Sequence, residues 1–293
     1  MEFALHFANN TFPKPDDAKR LAMAAEAAGF ESLITTEHVV LPTTYRSTYP
    51  YSPTGRLADE LSALRPDPLI WMAYVGAVTS RLRFITGVLV LPQRNPLVLA
   101  KEVATLDFMT GGRISLGIGV GWLREEFEGL GIPFERRGVR TDEHIKAMRA
   151  LWTEDDASFE GEFVNFKGMS SNPKPVNGTV PLLIGGHSEA AARRAGRLGD
   201  GFFPATGTQV EVAPLIDLAR RTAEEAGRDP AALEITTGCP ESLPGSGADP
   251  VAAVQALEAR GIHRIALPIP AFMPGLEENL EAFGESVIAK VNG

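Results

Sequence analysis

The sequence predicts an α/β protein that forms a single (β/α)8 barrel over residues 1–293. Short apolar runs alternate with helical periodicity along the chain, the runs number eight, and long excursions follow the second and fourth runs. Eight parallel strands, each followed by a helix, close into a barrel, whereas a doubly wound sheet has about six strands. Length alone would also suit two domains. The strict alternation favours the single barrel.

The first four strands and their helices are predicted from apolar runs bounded by turn and capping residues. The predicted strands are 3–7, 32–36, 82–91 and 113–118, and the predicted helices are 16–28, 66–75, 95–109 and the pair 123–130 and 141–152. Gly29 ends the first helix, because glycine adopts the left-handed conformation at helix C-termini. Pro68 and Pro96 begin the next two helices, because proline fits a first helical turn. Gly111 and Gly112 then turn the chain into the fourth strand.

The second half of the chain repeats the same pattern four times. The predicted strands are 182–184, 201–203, 233–237 and 264–267, and the predicted helices are 190–198, 212–226, 251–259 and 276–291. Between the two halves, residues 159–163 predict a small hairpin with Gly161 at its turn.

The excursions 40–65 and 133–180 are too long for ordinary loops. They follow strands two and four, so they lie at the C-terminal face of the barrel, where active sites form. The first excursion holds Tyr45, Tyr49 and Tyr51, three of the four tyrosines. Two interpretations stay open for it: a mobile aromatic lid over the pocket, or a disordered bulge.

Composition and charge favour a small-molecule ligand. The chain carries 28 Lys and Arg against 37 Asp and Glu, a net charge of −9, which repels nucleic acid and anionic membranes. No apolar run approaches the roughly 18 residues of a membrane span, and no secretory signal opens the sequence. Cys239 is the one cysteine, and no Cys/His spacing suits a metal. We expect a cytoplasmic protein without a bound metal.

Candidate acid–base residues follow the predicted strands, because the residue past each strand end faces the site of a barrel. Glu37 and His38 follow the second strand, and a carboxylate beside an imidazole supports proton transfer near neutral pH. Neighbours on an extended chain point to opposite sides, so one of the two can be structural. His6 ends the first strand and is either a site residue or a packing residue. His144 and His263 are interpreted as a helix-surface and a strand-start residue.

Small polar loops after the fifth and sixth strands predict an anion site. The residues are Gly185, Gly186, His187 and Ser188 after the fifth strand, and Thr206 and Gly207 after the sixth. The first group precedes a helix, whose free N–H groups attract a phosphate. For Ser188, a plain helix cap is the alternative.

The fourth strand ends in a glycine run, at Gly117, Gly119 and Gly121. Glycine at a strand end lets a flat ring approach the backbone, so we expect this run to admit a tricyclic ligand. Its spacing is not that of a dinucleotide-binding turn. Glu125 and Glu126 begin the next helix and are expected to complement its dipole.

Together these segments resemble one family, the bacterial luciferase-like barrels, and especially their oxidoreductases that use coenzyme F420. The resemblance runs through nearly the whole chain. It is carried by Glu37-His38, 86–89 (TGVL), Pro92, Asn95-Pro96, 111–113 (GGR), 117–127 (GIGVGWLREEF), 151–152 (LW), 181–186 (PLLIGG) and 199–202 (GDGF). The run at 121–127 is most similar to that of the F420 subgroup.

The resemblance implies a cofactor and a site. It implies a cis peptide bond between Gly87 and Val88, in a bulge of the third strand, that supports the cofactor ring. It also implies that Glu37 and His38 lie near the reactive carbon of that ring, and we expect His38 to be the proton donor. The expected cofactor-binding residues are His6, Phe7, Gly87, Val88, Leu89, Trp122, Gly185, Gly186, His187, Ser188, Thr206 and Gly207.

The expected function is hydride transfer between reduced coenzyme F420 and an organic substrate with a C=C or C=N bond. The similar glucose-6-phosphate dehydrogenases have a glutamate where this chain has Trp122 and a lysine where it has Thr208. We therefore expect an aromatic, apolar substrate pocket. The alternatives are an FMN-dependent monooxygenase on the same barrel and a cofactor-binding barrel without activity.

Two further expectations concern the surface. A homodimer is the expected assembly, with an interface around Trp71, Met72 and Val75. Three arginines near the start of the helix after the fourth strand form either a basic rim for the acidic tail of F420 or a solvated helix start. They are Arg136, Arg137 and Arg140.

Overall fold

The chain forms a ring of parallel strands with helices outside it. The computed structural model describes residues 1–57, 62–204 and 211–293. The strands are β1 (Glu2–His6), β2 (Ser32–Thr35), β3 (Arg83–Thr86), β4 (Leu89–Val90), β5 (Ile114–Gly119), β6 (Ala157–Glu160), β7 (Asn165–Met169), β8 (Leu182–Gly185), β9 (Gly201–Phe203), β10 (Glu234–Thr237) and β11 (Arg264–Pro268). The helices are α1 (Ala8–Thr11), α2 (Pro15–Ala27), α3 (Pro68–Gly76), α4 (Pro96–Thr110), α5 (Arg124–Gly129), α6 (Arg137–Thr153), α7 (Glu189–Leu198), α8 (Ala213–Glu225), α9 (Pro250–Glu258), α10 (Leu276–Phe283) and α11 (Ala289–Asn292).

Parallel pairing closes the barrel and confirms the predicted fold class. Neighbouring strands run in the order β3, β2, β1, β11, β10, β9, β8 and β5, and β3 pairs with β5 to complete the ring. Because successive strand residues face opposite sides, one set of side chains fills the inside and the other packs under the helices. The inside cluster consists of Ala4, Ile34, Ile85, Leu183, Phe203 and Ala266.

The third strand is interrupted, although the sequence predicts one continuous strand over 82–91. It breaks between β3 and β4, where the peptide bond from Gly87 to Val88 is cis. This confirms the bond that the family resemblance implies. After the break, β4 pairs with the end of β5, so the barrel stays closed beyond the bulge.

Val88 in this bulge explains the glycines of the neighbouring strands. A Cβ atom at Gly119 would lie 2.6 Å from Val88 Cγ2, and one at Gly185 would lie 2.3 Å from Val88 Cγ1. A Cβ atom at Gly117 would lie 1.8 Å from the carbonyl oxygen of Thr86. These glycines therefore leave space for the protein's own bulge. Gly119 and Gly121 also line the cavity at the C-terminal end of the barrel, so the contact of the glycine run with a flat ligand stays a prediction.

A buried ion cluster holds the N-terminal end of the barrel. Arg264 is 2% exposed and forms ion pairs with Glu2, Glu31 and Glu234. Burial lowers the pKa of Arg264, but the surrounding carboxylates outweigh it and raise that pKa above its usual value. These residues start neighbouring strands, so this end of the barrel serves stability, as is usual for the fold.

Two expectations about helix surfaces are wrong. Trp71, Met72 and Val75 are at most 4% exposed, because this face of α3 packs into the core, so they cannot form a contact between copies. His144 is 4% exposed, because its face of α6 packs against the turn at Leu91–Gln93. Within the described ranges, no helix is long and apolar enough to cross a membrane.

The sequence predicts the hairpin of the second excursion correctly and the closing helix only in part. β6 and β7 pair antiparallel, which confirms the predicted hairpin in the second excursion. The closing helix, predicted as one element over 276–291, changes to a π-helical turn at Gly284–Ile288. Gly284 packs there against α2: a Cβ atom on it would lie 2.3 Å from the carbonyl oxygen of Ala28.

We predict that Gly185→Ala lowers the free energy of unfolding by about 1–3 kcal/mol, because the new methyl group collides with Val88. Urea titration measures this loss. Gly129→Ala is the matched control, since Gly129 is exposed and a Cβ atom there would lie 3.9 Å from Val40 Cγ2, an ordinary contact, and it should change stability by less than about 1 kcal/mol. Adding Val88→Ala to Gly185→Ala should recover part of the loss. An equal loss with and without the valine side chain would contradict this explanation.

Candidate functional site

One large cavity opens at the C-terminal end of the barrel, with a volume of about 1110 Å³. It brings together His6, Phe7, Glu37, His38, Gly87, Val88, Trp122, Gly185, Gly186, His187 and Ser188. Leu89 is buried in the core, whereas Val90 lines the cavity, because successive residues of β4 face opposite sides. Thr206 and Gly207 lie outside the described residues.

A buried carboxylate holds the side chain of His38 at the cavity wall. His38 Nδ1 lies 3.1 Å from Glu126 Oε2, and Glu126 is 2% exposed. The other oxygen, Oε1, accepts hydrogen bonds from the backbone N–H groups of Val39 at 2.7 Å and Val40 at 3.3 Å. Because a carboxylate only accepts hydrogen bonds, this contact makes His38 Nδ1 the donor and leaves Nε2 for another partner.

Glu125 fastens the first excursion to the same helix. It accepts hydrogen bonds from the backbone of Arg46 at 2.7 Å and from the hydroxyl of Ser47 at 2.7 Å. Burial raises the pKa of Glu125, but these hydrogen bonds outweigh it and lower that pKa to about 2. The sequence interpretation of Glu125 and Glu126 as dipole partners misses these roles. No spacing signals them, because the partners lie 78 to 88 residues away.

Glu37 uses its carboxylate to hold the bulge. Oε2 accepts a hydrogen bond from the backbone of Val90 at 2.6 Å, and Oε1 accepts one from Arg94 Nε at 3.0 Å. Arg94 also contacts Asp67 at 2.7 Å, the residue that caps α3. Both oxygens of Glu37 thus have protein partners, which favours a holding role over proton transfer. A catalytic role for Glu37 stays a prediction.

His6 and Phe7 form a stacked pair at the end of β1. Their ring centroids lie 3.9 Å apart with the planes 10° from parallel. Phe7 has a φ of 70°, in the left-handed region that residues with a side chain rarely adopt. His6 Nε2 lies 3.3 Å from the carbonyl oxygen of Gly87. Burial lowers the pKa of His6 to about 4, so a neutral imidazole contacts the bulge at physiological pH.

The first excursion adds a wall of aromatic rings to the cavity. Ring contacts join Trp122 to His38, Tyr45 and Tyr49 at centroid distances of 6.0, 5.7 and 5.1 Å, and Tyr51 to His187 at 4.9 Å. Burial raises the pKa of Tyr51 to about 12, so this phenol stays neutral. Tyr49 and Tyr51 of the excursion thus line the cavity, and its motion as a lid stays a prediction.

Positive charge lines the cavity near the N-termini of α6 and α7. Arg137 donates a hydrogen bond to the carbonyl oxygen of Gly121 at 3.0 Å, and its guanidinium lies 3.7 Å from the ring centre of Phe134. Across the described ranges, no carboxylate forms an ion pair with Arg137. The hydroxyl of Ser188 accepts a hydrogen bond from Ala191 N at 3.2 Å, the plain helix cap. α6 has no such cap, so its free N–H groups and Arg137 attract an anion.

The other two arginines of the predicted rim have different surroundings. Arg136 forms an ion pair with Glu162 of the hairpin and also lines the cavity. Arg140 is 7% exposed and donates hydrogen bonds to the carbonyl oxygens of Pro133 and Glu135. A solvated helix start is therefore wrong for Arg140, because its guanidinium is buried.

The fold and this cavity define a class of protein: a (β/α)8 barrel with a large cavity at its C-terminal end. An oriented imidazole, an aromatic wall and arginine side chains line this cavity. The model of the luciferase-like monooxygenase family matches residues 3–268. The chain belongs to this family.

Two relatives and two solved structures are similar to this chain. An uncharacterized protein of Mycobacterium tuberculosis is 38% identical over 283 residues, 92% of this chain and 94% of its own. An F420-dependent glucose-6-phosphate dehydrogenase of Mycolicibacterium gilvum is 35% identical over 223 residues, 74% of this chain and 61% of that enzyme. Two structures share the fold with a TM-score of 0.76 over 99% of both chains. They are a monooxygenase of Streptomyces bottropensis, at 22% identity, and the F420-dependent tetrahydromethanopterin reductase of Methanopyrus kandleri, at 16%.

We predict that Glu126→Gln loosens His38 and lowers the free energy of unfolding by about 1–3 kcal/mol, because a buried charged acceptor is lost. Urea titration measures the stability. Of the three tryptophans of the chain, Trp122 is the one whose ring contacts His38, so a change in tryptophan fluorescence that the control lacks reports on its surroundings. Glu128→Gln, exposed on the same helix, is the control and should change stability by less than about 0.5 kcal/mol. Unchanged stability and fluorescence in Glu126→Gln would show that this carboxylate does not hold the segment.

Proposed function

We propose that the protein is an oxidoreductase that transfers a hydride between reduced coenzyme F420 and an organic substrate with a C=C or C=N bond. One observation carries the proposal: His38, held at Nδ1 by Glu126, faces a cavity of about 1110 Å³. That volume exceeds the roughly 300–1,000 Å³ of pockets for one small molecule. Reduction of such a bond needs a proton as well as a hydride, and imidazole supplies protons near neutral pH.

The residues of the cavity fit a flat ring with an anionic side chain. The bulge at Gly87 and Val88 offers an apolar surface for a ring. Arg137 and the uncapped N-terminus of α6 offer positive charge for a phosphate. Among the described residues, the buried Nδ1 of His187 has no hydrogen-bond partner, which is expected where a ligand completes the site. F420 and FMN share this outline, and the F420-dependent dehydrogenase relative favours F420.

The chain's own residues orient the reactants and move the proton. Reduced F420 supplies the hydride when it is bound. The bulge supports the ring, and Glu37 holds the bulge through Arg94 and Val90. His38 donates a proton from Nε2 to the substrate, and Glu126 stabilises the imidazolium and fixes its orientation.

The aromatic wall points to an apolar, planar substrate. Trp122 stands where the similar sugar-phosphate dehydrogenases carry an acid, and its ring packs edge-on against His38. Tyr49 and Tyr51 extend the same wall. A conjugated alkene or imine fits between these rings better than a sugar phosphate does, because the wall offers stacking surface instead of charge.

Titration of the ligand-free protein with F420 and separately with FMN tests the cofactor. Fluorescence at one fixed salt concentration gives both Kd values, and we expect F420 to bind at least about tenfold more tightly. Tight binding of FMN without binding of F420 would overturn the proposal in favour of an FMN-dependent monooxygenase. Binding of F420 without turnover of any activated alkene or imine would favour a cofactor-binding barrel without activity.

We predict that His38→Gln lowers kcat by about 10²–10⁴-fold while the Kd for F420 stays unchanged, because glutamine can contact Glu126 but cannot transfer a proton. Consumption of reduced F420 measures kcat, and fluorescence titration measures Kd. His263→Gln, outside the cavity, is the matched control and should keep full activity. Equal losses in both variants would contradict the assignment of His38 as the proton donor.

The assembly and location stay predictions. We propose a homodimer, supported by apolar side chains exposed on the neighbouring helices α3 and α4, among them Ile70 at 72% and Met109 at 76%. Sedimentation measures the assembly. We also propose a cytoplasmic location, which the free, buried thiol of Cys239 supports.

A further inference from the structure

The imidazole of His6 is held in one orientation at the wall of the barrel cavity. His6 and Gly87 both line this cavity. The ring of His6 stacks on that of Phe7 at a centroid distance of 3.9 Å and lies 5.6 Å from the ring of Phe203. Nε2 lies 3.3 Å from the carbonyl oxygen of Gly87, so this edge of the ring faces the bulge. Together these three contacts fix the position of the ring.

The contact with Gly87 decides which ring nitrogen of His6 can accept a hydrogen bond. A carbonyl oxygen only accepts, so Nε2 carries the proton and donates it. A neutral imidazole has one protonated nitrogen, which leaves a lone pair on Nδ1. Burial lowers the pKa of His6 to about 4, so the ring stays neutral and Nδ1 stays an acceptor at pH 7.

Nδ1 of His6 is open to the cavity. In the described part of the chain, the bond to Gly87 is the one hydrogen bond that this ring makes. Nδ1 is also not one of the buried side-chain atoms that lack a partner, and the residue as a whole is only partly buried. The lone pair is therefore accessible to a molecule bound in the cavity.

The backbone beside His6 supports a binding site at this position. Phe7 has a φ of 70° and a ψ of 30°, a conformation that a bulky residue rarely adopts. Such conformations persist where the surroundings enforce them, and they are concentrated at functional sites. Here the left-handed residue turns the chain from β1 into α1. Phe7 stays 39% exposed, so its ring is presented to the cavity rather than buried in the core.

We propose that His6 Nδ1 accepts a hydrogen bond from an N–H or O–H group of the bound molecule and thereby selects ligands that carry a donor there. A carbonyl or carboxylate oxygen at this point would meet a lone pair and bind more weakly. Two sources fit this chemistry. One is the ring N–H of a flavin-like cofactor, which F420 and FMN both carry. The other is a substrate with an N–H or O–H beside its C=C or C=N bond. The choice of F420 and of the substrate rests on the proposed function.

Two variants separate the acceptor of His6 from its bond to the fold. Glutamine places its amide nitrogen near the position of Nε2, so His6→Gln can still donate to Gly87 but has no acceptor in place of Nδ1. Asparagine places its amide oxygen near the position of Nδ1, so His6→Asn keeps an acceptor and loses the bond to Gly87. Thermal unfolding without ligand should therefore show an unchanged Tm for His6→Gln and a lower Tm for His6→Asn.

Fluorescence titration with F420 and with FMN tests the cofactor as the source of the donor. We expect a Kd about tenfold higher in His6→Gln, because the ring N–H loses its acceptor, and we expect His6→Asn to recover most of this loss. If F420 binds to no form of the protein while FMN binding weakens in His6→Gln, the proposed function fails and the role of His6 stands.

Calorimetric titration of the protein loaded with oxidised F420 tests the substrate as the source. The probes are cinnamamide, a conjugated alkene with an N–H donor, and N,N-dimethylcinnamamide, which lacks the donor. A preference for cinnamamide of about tenfold that disappears in His6→Gln, at unchanged cofactor affinity, supports the substrate. The role of His6 is overturned if His6→Gln changes neither the cofactor affinities nor this preference. Equal losses of affinity in His6→Gln and His6→Asn also overturn it, because the acceptor would then make no difference.

Discussion

Two adjacent carboxylates at the start of α5 hold the functional end of this barrel together. Glu126 fixes the imidazole of His38, and Glu125 fixes the backbone at Arg46 and Ser47. A buried carboxylate needs several donors, and a loop with free N–H groups needs acceptors. The two carboxylates and the first excursion therefore depend on each other. The same contacts that order the excursion also orient the imidazole of His38.

The bulge between β3 and β4 is the second constraint, and it involves Glu37, the residue before His38. Glu37 reaches the bulge through Val90 and Arg94, whereas His38 turns to Glu126. The side chains of Glu37 and His38 thus point to opposite sides, as neighbours on an extended backbone do. Glu37 shapes the surface on which a ring can lie, and Glu126 orients the imidazole of His38, which faces the cavity.

The arginines of the barrel divide by the partners they have. Arg264 is surrounded by three carboxylates at the N-terminal end, so its charge is matched by ion pairs within the protein. Arg137 and Arg140, at the C-terminal end, contact carbonyl oxygens and aromatic rings instead. A chain with a net charge of −9 therefore keeps these arginines without carboxylate partners at the end of the barrel where the cavity opens, which supports an anionic ligand there.

By itself the sequence determined the barrel, because apolar periodicity and the glycine and proline signals are local and repeat eight times. It also placed His38, Gly87 and Trp122 at strand ends, which in a closed barrel meet at one cavity. Only the tertiary structure decided that Glu126 orients His38, that Val88 fills the space above the glycines, and that Arg140 and His144 are buried. Those facts depend on contacts between segments far apart in the chain, and no local pattern records which side chain will face which.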